Sequence, residues 1–190
     1  MSESELIDEL LDDARGRMAK SVEATKTEFG TVRTGRASPS LLDRVVVDYY
    51  GAQTPLKQLA NMSAPEARML TVTPYDKTSI KAIEKAIMES DLGLTPGNDG
   101  NVIRLSIPEL TEERRKDLVR VVRGIAEDGR VAVRNVRRDI MHDLRELKKE
   151  GEVGGDDEHR AEEALQKLTD ERVHEIDELL KHKEQEILEV

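Results

Sequence analysis

The 190-residue chain is long enough for one large domain or two unequal ones, and its lack of cysteine excludes disulfides, thiolate metal sites and a cysteine nucleophile. Its formal net charge of -10 excludes steering to nucleic acid by the overall field, so any such binding must be local. That total hides an uneven distribution: residues 1–29 sum to -4, 30–113 to -2, 114–149 to +6 and 150–190 to -10. The opening Met1-Ser2-Glu3-Ser4-Glu5 lacks the basic and apolar regions of a signal peptide, and no apolar run approaches the roughly 18 residues of a membrane span. A cytoplasmic setting without membrane contact is the expectation.

Along the chain, Ile7, Leu11, Ala14, Met18, Val22, Thr25, Phe29 and Val32 recur in steps of three and four, which predicts an amphipathic helix suited to a left-handed bundle. Thr34-Gly35-Arg36-Ala37-Ser38-Pro39 breaks that period, and the β-branched and aromatic run Val45 to Tyr50 predicts a strand ending at Gly51. Further strands are expected around Met69 to Thr73 and Val102 to Ile107. A helix from about Lys77 to Ser90 falls between them, capped by Asp76, with Gly93 just beyond where a left-handed residue is often needed. Pro96-Gly97-Asn98-Asp99-Gly100 carries turn chemistry.

After Pro108 helical periodicity returns from Thr111, a credible N-cap, to Lys149, and a turn over 151–157 leads to a last amphipathic helix. Ala161, Leu165, Leu168, Ile176, Leu179 and Ile187 share one side of that helix. The expected fold class is α+β: an antiparallel three-helix bundle formed by 1–34 and 111–190, with a small α/β domain of sandwich-like β/α/β character inserted over 35–110. The two crossings, at about 34–36 and 107–111, suggest a hinge marked by Gly35 and Pro108.

Advancing about 100° per residue from Arg130 places Lys116, Arg120, Arg123, Arg134, Arg137, Arg138, Arg145 and Lys148 on one face of the long helix. Leu118, Val122, Ile125, Val133, Val136, Ile140, Leu144 and Leu147 fall roughly opposite. Two readings stand. The cations can pair with the acidic last helix, or they can bind phosphate. The run Arg120, Arg123, Arg130, Arg134, Arg137, Arg138 contains no lysine, and the guanidinium fork matches phosphate in a way that an ammonium does not. With only Phe29, Tyr49, Tyr50 and Tyr75 as aromatics, base stacking is the poorer fit, and folded RNA read by backbone and shape is the expected target.

No sequence feature supports catalysis or a cofactor. The glycines of 93–100 lack the Gly-Lys-Ser/Thr of a phosphate loop, His142, His159, His174 and His182 lack paired zinc spacing, and Asp156-Asp157-Glu158 lacks calcium-loop spacing. A helical adaptor binding an acidic protein partner is the alternative from another class.

Six ordered motifs carry a resemblance: Val32-Arg33-Thr34-Gly35-Arg36-Ala37-Ser38-Pro39, Tyr49-Tyr50-Gly51, Thr54-Pro55-Leu56, Ser90-Asp91-Leu92-Gly93, Leu110-Thr111-Glu112-Glu113-Arg114-Arg115 and Val133-Arg134-Asn135-Val136-Arg137-Arg138. Over nearly its whole length the chain resembles bacterial ribosome recycling factors. The resemblance implies an L-shaped monomer that binds the post-termination ribosome. With elongation factor G, which hydrolyses the GTP, it would separate the subunits without being an enzyme itself. It further implies that Arg137 is central to contact with large-subunit rRNA, that Arg134 neighbours it, and that Arg33, Arg36 and Arg115 match further basic positions. Arg130 and Arg138 complete the expected RNA-binding set.

Overall fold

Ser2 opens the first helix with a reciprocal capping box: its hydroxyl accepts from the Glu5 amide at 3.3 Å and its own amide donates to Glu5 Oε2 at 2.7 Å. In the computed structural model, which describes residues 2–188, this helix α1 runs Glu3–Thr31. The sequence folds into two units. One comprises the N-terminal residues to Arg33 together with Arg115–Gln185; the other comprises Thr34–Arg114 and the chain from Glu186. Set beside the expected 35–110 insertion, the second unit runs on to Arg114 and takes in the end of the last helix, where Ile187 is fully buried.

The first unit is built from α1, α4 (Glu112–Lys149) and α5 (Gly155–Leu188). Thr111 caps α4, its hydroxyl accepting from the Arg114 amide at 3.1 Å. The other end of α4 closes in a Schellman arrangement: Gly151, at φ +79, donates to Lys148 O at 3.0 Å, and Glu152 donates to Leu147 O at 2.9 Å. Leu11, Ala14, Met18, Val22, Thr25 and Phe29 bury the expected seam of α1. Glu3 Oε1 accepts from the Gly154 amide at 2.6 Å and Arg17 meets Asp139 at 2.6 Å, so α1 runs antiparallel to α4.

Gly129 explains how closely these helices approach. A Cβ there would lie 2.3 Å from Thr25 Oγ1 of α1 and 3.2 Å from Ile176 Cδ1 of α5, so only glycine fits where the three helices meet. Gly124 has nothing within 4 Å of its would-be Cβ and serves no such packing purpose.

The second unit holds two antiparallel sheets. The hairpin β1 (Val46–Tyr49) and β2 (Ala52–Pro55) turns at Tyr50 and Gly51, both at positive φ, +50 and +85, the signature of a type I′ turn. The predicted strand therefore ends two residues before the expected Gly51, at Tyr49. A short helix α2 (Leu56–Leu59) leads into a four-stranded sheet in the order β3-β4-β6-β5, formed by Ala60–Glu66, Met69–Pro74, Ile103–Ser106 and Pro96–Asn98. Helix α3 (Ile80–Glu89) follows a single 3-10 turn, Lys77–Ser79, whose N-cap is Asp76, with its carboxylate accepting from the Thr78 amide at 2.9 Å. Ile80, Ile83 and Ile87 of α3 join Leu70, Val72, Ile103 and Leu105 of the sheet in one core.

Two sequence expectations need correction. Pro96–Asn98 is edge strand β5 and not a turn; the reversal lies beyond it, where Gly100 takes φ +92 and Asp99 Oδ1 accepts from the amides of Asn101 and Val102. Gly93 does adopt φ +66, but it lies past the Ser90 C-cap and does not itself close α3.

Both connections into this unit are held at one turn. The Ala37 amide donates to Ala67 O at 2.7 Å and the Ile107 amide to Arg68 O at 2.8 Å. Beside them Gly35 takes φ +76, and a Cβ on it would approach Leu110 Cγ at 2.7 Å. Among the described residues no helix is long and apolar enough to cross a membrane.

Candidate nucleic-acid interface

Helix α4 presents three functional sides. Its apolar seam buries Leu118, Val122, Val133, Val136, Ile140 and Leu144 as expected, with Ile125 and Leu147 half-buried and with Ala126 and Gly129 added. The side toward α1 carries Asp139, paired with Arg17. The basic stripe divides between the side toward α5 and the outer side.

The part facing α5 follows the bundle-pairing reading. Arg123 Nε donates to Glu184 Oε1 at 2.7 Å; Arg130 Nε donates to Asp177 Oδ1 at 2.8 Å; Arg145 lies 3.9 Å from Glu162; Lys148 meets Glu158 at 2.5 Å. Glu158 is buried, and this pairing raises the Lys148 pKa. Arg130 is the most enclosed of these arginines, with its side chain 19% exposed and a second bond to Glu127 at 3.1 Å. Burial opposes its charge, and the hydrogen bonds of Asp177 and Glu127 outweigh that effect, raising its pKa. Arg130 is thus committed within the bundle.

The rest of the stripe is not so engaged. Among the described residues Arg134 reaches only Glu127 of its own helix, at 3.5 Å. Arg138 is exposed with no hydrogen bond or ion pair among the described residues. Arg137 is half-buried, and its Nε is shielded from solvent without any acceptor. A buried guanidinium N–H left unmet is costly, and Arg115 Nε and Arg172 Nε share that state. For Arg137 it means that, among the described residues, no carboxylate of the bundle has claimed the guanidinium, whose charge is left for an anion at its outer nitrogens. Arg134, Arg137 and Arg138 lie within about one turn, on a helix packed along its whole opposite side, so they are held in place before any ligand arrives.

Of the other expected residues, Arg115 is half-buried near the start of α4 and Arg33 is exposed just beyond α1, whereas Arg36 is exposed in the second unit. Arg36 and Arg115 each have interactions within the molecule. The four histidines are all exposed, and His159 lies 3.2 Å from Glu163. Among the described residues no three or more His, Cys, Asp or Glu side chains come together as a metal site would need. Sequence reasoning missed Glu158 as a buried partner, and helical phase did not divide the stripe into committed and open arginines, since acids on α5 recur at the same heptad step as the bases on α4, Asp170 opposite Arg137 included.

A family model for ribosome recycling factor matches residues 25–188. The chain is 58% identical to the ribosome-recycling factor of Rubrobacter xylanophilus over 187 residues, covering 98% of this chain and 100% of that one. It is also 58% identical to the Bacillus subtilis ribosome-recycling factor over 182 residues, 96% of this chain and 98% of the other. A solution structure of a ribosome recycling factor matches with a TM-score of 0.69 at 43% identity, covering 97% of this chain and 98% of that one. The T. thermophilus ribosome recycling factor, in models with the E. coli elongation factor G bound to the E. coli post-termination complex, matches with a TM-score of 0.63 at 49% identity over 99% of this chain and 100% of that one. By its sequence along nearly its full length and by its fold, the chain belongs to the ribosome recycling factor family.

Proposed function

We propose that the protein binds the post-termination ribosome in the cytoplasm and, with elongation factor G and the GTP which that partner hydrolyses, separates the subunits for a new round of translation. It acts as a binding and force-transmitting body and not as an enzyme. Arg137 is the central contact to large-subunit rRNA, with Arg134 and Arg138 beside it and Arg33, Arg36 and Arg115 as further contacts. Arg130 supports them by holding α4 against α5. The observation that carries this reading is the unmet Nε of Arg137 on a helix whose Arg130 and Arg123, one and two heptads earlier, are paired across to α5. Gly35 and Pro108 mark the two crossings at which movement of the smaller unit would be absorbed. The T. thermophilus relative, placed with elongation factor G on the post-termination complex, supports the choice of partners.

Sedimentation of Arg137→Ala with ribosomes over a salt series tests the anchor. Loss of one phosphate contact weakens binding and lowers the slope of log affinity against log salt by somewhat less than about 1. Unchanged affinity and slope would refute the role of Arg137. Light scattering of subunit splitting with and without elongation factor G tests the activity as a whole.

A further inference from the structure

The pairs between α4 and α5 form a ladder with a regular step. From Arg123–Glu184, one heptad forward on α4 and one heptad back on α5 gives Arg130–Asp177. The same step again reaches Arg137 on α4 and Asp170 on α5, and about two turns further the ladder resumes at Arg145–Glu162 and Lys148–Glu158. Asp170 therefore occupies the register position opposite Arg137, with a carboxylate of the same kind that binds Arg130. Yet this rung is not made. Arg123 and Arg130 both donate across through Nε, Arg130 through Nη2 as well, and in Arg137 the Nε is buried with no acceptor. The carboxylate of Asp170 is turned along its own helix, where Oδ1 accepts from Gln166 Nε2 at 2.9 Å.

We propose that Gln166 is a positioning residue that draws Asp170 away from Arg137, leaving open one rung of an otherwise closed cross-helix ladder so that the guanidinium stays available to phosphate. Asp170 is then an internal competitor of the RNA backbone for the same guanidinium. This rests on the reading of Arg137 as a phosphate contact. The hydrogen bond between Gln166 and Asp170 is exposed and joins residues one turn apart, so it biases the competition modestly. Its loss lets Asp170 close the rung, an exposed-type pair whose formation lowers affinity for the anion by about two- to fivefold.

The test is a cycle of Gln166→Ala, Asp170→Asn and the double variant, with two measurements. One follows the Arg137 Nε–H resonance of the free protein by NMR; the other is ribosome affinity at moderate salt. Gln166→Ala is expected to shift that resonance and slow its hydrogen exchange, and to weaken ribosome binding about two- to fivefold. Adding Asp170→Asn is expected to reverse both changes. An unchanged resonance in Gln166→Ala overturns the proposal, as does weakened binding that Asp170→Asn fails to restore or a resonance change with no change in affinity. Arg137→Ala in the same series separates the two ideas. If it leaves affinity intact, the phosphate reading fails, whereas if it weakens binding and the cycle shows no coupling, only the role of Gln166 fails.

Discussion

Replacing Gly129 by alanine sets two effects of opposite sign against each other. In an exposed helix interior the change stabilises by about 1 kcal/mol, through helix propensity and reduced freedom of the unfolded chain. At this position the new methyl would stand 2.3 Å from Thr25 Oγ1 and 3.0 Å from Thr25 Cγ2. Thr25 is buried and its hydroxyl donates to Ser21 O at 2.9 Å, so rotating it away breaks a bond and presses on the seam of α1. Ile176 Cδ1 at 3.2 Å blocks retreat toward α5. Overpacking of this kind costs about 1–3 kcal/mol, and contact this short belongs at the upper end. The net expectation is destabilisation by about 1–2 kcal/mol, against stabilisation by about 1 kcal/mol for Gly124→Ala on the same helix. Urea unfolding followed by helical circular dichroism measures both variants. Opposite signs are expected, with Thr25→Ser relieving part of the Gly129→Ala loss. If the two alanine variants shift stability in the same direction, the packing argument for Gly129 is wrong.

Arg130 and Arg138 should separate stability from binding: Arg130→Ala lowers the stability of the first unit, while Arg138→Ala leaves stability unchanged and reduces the salt dependence of ribosome sedimentation by one contact. Gly35→Ala, at φ +76 and against Leu110, is expected to cost about 1–2 kcal/mol in denaturant unfolding, whereas Gly35→Asn should cost less on backbone grounds alone. Asp99 accepts from Arg104 Nη1 at 2.8 Å and from two amides, and these bonds, led by Arg104, hold its carboxyl well below the usual carboxylate range. Because its folded pKa is depressed, its contribution is present above the unfolded value near 3.8 and is lost as pH falls from there. Asp99→Asn should therefore flatten the acid limb of the small unit's stability profile, measured by fluorescence-free circular dichroism melts between neutral pH and pH about 2.

The long helices were legible because each buries one side along many turns, so the period of 3.6 is repeated often enough to stand out. The strands that escaped detection, β2, β3 and β5, are those with the least apolar alternation, and Ala52–Pro55 has no fully buried residue. Ala60–Glu66 is an edge strand, its register shifts between Ser63 and Glu66, it contains Pro65, and most of its side chains are exposed. Pro96–Asn98 is likewise an edge, where proline is tolerated because one of its sides needs no donor. For the basic face, phase alone placed the stripe from Lys116 to Lys148 on one side of α4 but could not divide that side. The division depends on how far α5 reaches around the helix, which is a property of packing between segments distant in sequence. Arg130 and Arg137 have nearly the same phase, and only the partner across from each tells them apart.

The turn joining β3 to β4 has a consequence for how the small unit could be handled as a piece. Ala67 and Arg68 are adjacent, and they bind the incoming and outgoing chain at Ala37 and Ile107. The insertion thus enters and leaves at nearly the same point, with its ends separated by little more than the width of a pair of strands. A segment so arranged can be excised with its termini side by side, joined into a closed loop by a few residues, or exchanged for a homologous one without re-threading the helices. The seam at which one would cut is already fastened from within, and the one further demand on a replacement is the end of α5, which this unit takes in around the buried Ile187.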